Sequence, residues 1–172
     1  MKKYFVLYGG ITGGLCSVLF LLIVRYMNVE SFVSGGWRIA YFLPFIAGII
    51  AAILVKRQNA GILPFVKSLK VLYGVFVIST FICLAGNFVI DTTDNLVITA
   101  QEDAWKQAIK SEKDPVKKAN DLATIDKYKT NPAGSLVPTF IMIFVLTIIF
   151  GLMLSMIVAR LIGKEPYRRP TL

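Results

Sequence analysis

Four blocks of this chain carry no charged side chain over lengths that matter to a bilayer: residues 4–24, 39–55, 71–90 and 130–159. A helix rises about 1.5 Å per residue, so roughly 20 residues cross a hydrocarbon core about 30 Å thick. The first, third and fourth blocks meet that length alone. The second is shorter, but Trp37 and Arg38 precede it and suit the interface. None keeps the polar face that a surface helix of a water-soluble protein needs. Residues 140–150 read FIMIFVLTIIF, apolar around almost the whole circumference. The pattern predicts an all-α integral membrane fold: a four-transmembrane-helix bundle with spans at about 4–26, 37–55, 65–90 and 136–161, forming one membrane domain over 1–172.

Residues 91–135 are the sizeable polar stretch between spans 3 and 4. Thr99-Ala100-Gln101-Glu102 fits a capping box, in which hydroxyl and carboxylate satisfy free amides at a helix start. A helix from there to about Ser111 gains support from Glu102 with Lys106, four residues apart. Asp114-Pro115 repeats the start signal, and the second helix is expected to end near Lys129, before Asn131-Pro132. Joined around Lys113, the two make a small extracytoplasmic helical hairpin, with a mobile linker as the alternative. Trp105 then anchors either the hairpin or the membrane surface. Pro44, inside the second span, predicts a bend through a lost backbone bond. Pro64 suits the first turn of the third span, from which Lys67 and Lys70 reach the headgroups.

Small residues mark the faces on which spans approach. Hydrocarbon supplies no hydrophobic drive between helices, so close backbone packing must provide the attraction. Gly9 with Gly13 and Gly10 with Gly14 give span 1 two overlapping pairs at four-residue spacing. Ala47, Gly48, Ala51 and Ala52 give span 2 a comparable face, and Thr147, Gly151 and Ser155 give span 4 a stripe. The expected partners are other spans of the same chain, with a second copy as the alternative.

Composition sharpens this picture. The chain is 56% hydrophobic and 17% charged, against about 25% charged in soluble domains. The net charge of +9 is unevenly placed. Lys2, Lys3, Lys56, Arg57, Lys67, Lys70, Arg160, Lys164, Arg168 and Arg169 face Glu165 alone on one side, whereas lysines and acids nearly balance across 91–135. The positive-inside rule therefore puts both termini in the cytoplasm. The basic residues form a rim, not a nucleic-acid groove, and Lys56, Arg57, Lys67, Lys70, Arg168 and Arg169 are expected to contact anionic lipid headgroups. The Met1-Lys2-Lys3 start resembles a secretory signal, but the apolar run is too long for one and reads as a retained first span.

Reactive constellations are scarce. Without histidine there is no His-based triad or typical His-containing metal site, and no Gly-rich phosphate loop follows a strand. No Asp, Glu, Lys, Arg or His lies near the middle of a span, where proton relays are usually found. Asp91 and Asp94 read as solvated caps, Asn87 as a hydrogen-bonding group near a span end, and Cys16 and Cys83 as small packing residues. No catalytic residue, metal or cofactor is expected. A transport path would need a polar-lined cavity near Thr12, Ser17, Ser79, Thr80 and Thr147. An enzyme would need Asn87, Asp91, Asp94 and lysines on one face.

Residues 61–70 read GILPFVKSLK, with Gly74 following. This resembles the G-x-x-x-F-x-K-x-L-K…G signature of domain-of-unknown-function family 4199, four-span membrane proteins common in Bacteroidetes. The MKKY start before a Gly-rich span, the exit Asn87-Phe88-Val89-Ile90-Asp91, the long helical third connection and Gly151 in the last span are similar too. The resemblance implies the bacterial inner membrane. The resulting expectation is a non-enzymatic accessory or scaffold subunit, associating with lipids and with a membrane protein partner or a second copy. A small transporter or lipid-handling protein is the alternative.

Overall fold

The computed structural model describes residues 4–110 and 114–163. Lys2, Lys3, Lys113, Lys164, Arg168 and Arg169, and the helix end expected at Ser111, lie outside the described residues. Every element among the described residues is helical. Helix α1 spans Tyr4–Met27, and short α2 spans Val29–Val33. A 3-10 helix, Gly36–Tyr41, leads into α3, Phe42–Gln58. Helix α4 spans Phe65–Thr93, α5 Asn95–Lys110, α6 Pro115–Thr130 and α7 Pro132–Ile162. Tyr4–Met27, Gly36–Gln58, Phe65–Thr93 and Pro132–Ile162 are long and apolar enough to cross a membrane, and the chain reads as a multi-pass membrane protein.

Three boundaries differ from the sequence expectation. Pro44 causes no lost bond within α3: it stands in the first turn, where backbone N–H groups have no intrahelical acceptor, and a 3-10 helix precedes it. Thr99 does not open α5. The Asp94 carboxylate already accepts from Leu96 N at 3.0 Å, so the helix starts at Asn95, and Thr99 donates to Asn95 O inside it. Asn131 both closes α6 and caps α7, accepting from Gly134 N at 2.9 Å, so the last helix begins before residue 136.

Helix α4 is the hub, packing on α1, α3 and α7. Helices α1 and α4 run parallel, and the doubled glycines place α1 in the corner between α3 and α4. A Cβ on Gly10 or Gly14 would meet Ile78 or Ile82 of α4 at 2.6 Å. One on Gly9 would meet Val75 at 3.2 Å and Ala51 at 3.7 Å, and one on Gly13 would overlap Ala47 and Ser79. Adjacent glycine stripes thus serve two neighbours. Gly48 lies against the Leu72 carbonyl, Gly151 against the Phe76 ring, and Ser155 is buried. Helix α7 leans on α4 and touches α3 only slightly; its remaining circumference is exposed and apolar.

Candidate functional site

Polar groups collect where α1 and α4 end, α5 begins and α6 ends. Cys83, Asn87 and Asp91 follow one another at four-residue intervals, so they share one face of α4. Asn87 Nδ2 donates to Asp91 Oδ2 at 2.8 Å, while Asn87 Oδ1, buried, has no hydrogen-bond partner. Tyr128 of α6 brings its hydroxyl to 3.0 Å from Asp91 O and 2.8 Å from Gln101 Oε1. Its single proton serves one acceptor at a time. Burial, and then Asp91, push the Tyr128 phenol up to about 12. Trp105 of α5 packs edge-on against the Tyr128 ring at 4.9 Å, so this tryptophan anchors α5 to α6.

Beside this cluster, Arg25 at the end of α1 grips Asp94 with two nitrogens, Nε to Oδ2 at 2.5 Å and Nη2 to Oδ1 at 2.9 Å. The fork geometry matches a carboxylate. Hydrogen bonding to Arg25 holds the Asp94 carboxyl below the usual carboxylate range. Asp94 therefore caps α5 and ties it to α1, and Asp91 is part-buried against Asn87. Neither is the freely solvated cap expected from the sequence, because neighbouring elements close over both. Glu102 accepts from Lys106 at 2.5 Å, with Lys129 at 3.6 Å.

Asn87, Asp91 and Asp94 are thus gathered at one end, without a lysine in the Asp91 cluster. Arg25, Gln101 and Tyr128 complete the arrangement, and sequence reading missed all three, since their partners lie 69, 27 and 37 residues away. No group of three or more potential metal ligands occurs among the described residues. The bonds made here hold helix ends together.

Deeper in the spans, Ser17 donates to Gly13 O and Ser79 to Gly10 O, each at 2.8 Å, with neither side chain exposed. Thr80 is fully buried, whereas Thr12 is exposed in a groove between α1 and α3. These groups do not converge on the polar cavity that a transport path would use. At the opposite end from α5 and α6 lie Lys56, Arg57, Lys67, Lys70 and Arg160, on the adjoining ends of α3, α4 and α7. Lys56 Nζ donates to Ile162 O at 2.6 Å, closing the end of α7, and Arg57, Lys67 and Lys70 are exposed.

A family profile described as "Protein of unknown function (DUF4199)" matches residues 7–164, nearly the whole chain. The chain belongs to this family. The matched region takes in all four DUF4199 spans, the Arg25–Asp94 pair and the Tyr128 cluster. No curated protein and no solved structure matches the chain.

Proposed function

We propose that this DUF4199 protein is a non-enzymatic accessory or scaffold subunit of the bacterial inner membrane. Both termini are cytoplasmic, and α5 and α6 form an extracytoplasmic hairpin. The observation that carries the reading is how α5 and α6 are fastened: Arg25–Asp94 ties the start of α5 to α1, and Tyr128 ties α6 to the end of α4. A polar segment fixed to the ends of two spans is a platform that a partner can recognise without an ordering cost. Between α2 and α5 that platform carries an open groove of about 570 Å³, bordered by Glu30 and Asp103.

At the basic end, Arg57, Lys67 and Lys70 are the proposed contacts for anionic headgroups, with Lys56 contributing the donors that Ile162 leaves free. The serine hydroxyls committed to α1 carbonyls favour a packed structural role over transport. Capture of the tagged full chain from native membranes in mild detergent, with mass spectrometry of what accompanies it, tests the proposal. A reproducible membrane protein partner or self-association supports it; the absence of both overturns it.

A further inference from the structure

The groove between α1 and α3 has features that the platform reading leaves unused. It holds about 450 Å³, and its walls are apolar, from Phe5, Tyr8 and Cys16 on α1 to Leu43, Ile50 and Leu54 on α3. This volume falls within the common range for small-molecule sites, about 300–1,000 Å³. Both walls lie in membrane-spanning segments, so the groove opens onto hydrocarbon. Along α1 it runs from Phe5 to Cys16, about 17 Å at the helical rise. That is close to one leaflet's share, roughly 15 Å, of the hydrocarbon thickness.

Its mouth is at the basic end. Ile46, Ile50, Leu54 and Arg57 succeed one another at four-, four- and three-residue steps, all exposed, so Arg57 continues the α3 wall beyond the apolar groove. Tyr4 and Tyr8, with ring centroids 6.4 Å apart, stand at the same end of α1. An apolar trough one leaflet long, entered beneath a guanidinium and two phenols, matches a lipid in both length and charge order. A second copy inserted in the same orientation would bring its own basic end to that mouth, setting like charge against like.

We propose that the α1–α3 groove seats one acyl chain of an anionic phospholipid from the leaflet at the basic end, with its headgroup against Arg57. This deepens the basic-end reading above and is independent of the platform reading. The test uses the full chain in nanodiscs containing phosphatidylcholine in excess over phosphatidylglycerol, with native mass spectrometry of the lipids retained on ejection. Wild type is expected to retain phosphatidylglycerol above its share in the bilayer. Arg57→Gln is expected to lower that enrichment about fivefold, the loss of one basic contact at a lipid surface, while total retained lipid is unchanged. Thr12→Phe fills the groove from an exposed position and is expected to remove one retained lipid of either kind. Lys67→Gln, elsewhere on the basic end, is expected to change the enrichment less than Arg57→Gln does.

Equal effects of Arg57→Gln and Lys67→Gln would overturn the groove assignment and leave the basic-end reading standing. No enrichment in wild type would overturn both. Undiminished lipid in Thr12→Phe, or a dimer that this variant dissociates, would replace the lipid with some other occupant and sink the proposal.

Discussion

Arg25 and Asp94 are joined by two parallel hydrogen bonds across 69 residues of sequence, and the same carboxylate caps α5. One side chain thus decides both where a helix starts and which span it is tied to. Removing either partner leaves a part-buried charge without its counterpart, which costs more than the pair contributes. Arg25→Gln or Asp94→Asn is expected to lower the stability of the fold, and the double variant by less than the two singles combined. Unfolding titrations in detergent micelles would measure the cycle, and strict additivity would remove the coupling.

The same pair has a pH signature. Asp94 is held below its ordinary value, so its contribution is present above the unfolded carboxylate pKa of about 3.9 and is lost as pH falls through the lower, folded value. Stability measured from pH 7 down to 3 should show the Arg25–Asp94 coupling energy constant near neutrality. It should decline only below about pH 4. A decline centred near neutrality would assign the coupling to another group.

Tyr128→Phe keeps the ring against Trp105 and removes the hydroxyl shared by Asp91 O and Gln101. The expected loss is about 1 kcal/mol, concentrated in the docking of α6. Hydrogen exchange should quicken in α5 and α6 and stay unchanged in the core of α4. Uniform quickening throughout the chain would show that the hydroxyl supports the whole fold instead.

A Cβ on Gly48 would lie 2.7 Å from the Leu72 carbonyl oxygen, and backbone yields less readily than a side-chain tip. Gly48→Ala is expected to cost about 1–3 kcal/mol through overpacking. Gly9→Ala, meeting only side-chain atoms at 3.2 Å and beyond, should cost less. Thermal unfolding of the two variants in one detergent gives the order, and the reverse order would refute the packing account.

Orientation is tested by labelling. In a chain whose two native cysteines are replaced, Gln107→Cys should react with a membrane-impermeant maleimide applied to spheroplasts. Arg57→Cys should react only after permeabilisation. Labelling of Arg57→Cys alone from outside would invert the topology.

The spans were legible because hydrocarbon imposes a length and a composition that few other environments demand. Glu102 with Lys106 and the Asp114 cap were legible for a different reason, being local interactions within a turn or two. The start of α5 was misread where two caps competed. Thr99 and Glu102 carried the familiar spacing, but Asp94 stood earlier in the chain, already fixed by Arg25. Nothing within one turn of Asp94 announces Arg25. Distance also hid Tyr128, whose acceptors lie 37 and 27 residues away, one of them a backbone carbonyl that carries no residue signature.

Because α7 leans mainly on α4, the first three spans already form a closed trio before the last one is made. During synthesis, α1, α3 and α4 can settle against one another while α5 and α6 are still emerging. The final span then docks onto a finished surface. Assembly in that order needs no span to wait for a later one, apart from the exposed flank of α4 that α7 eventually covers.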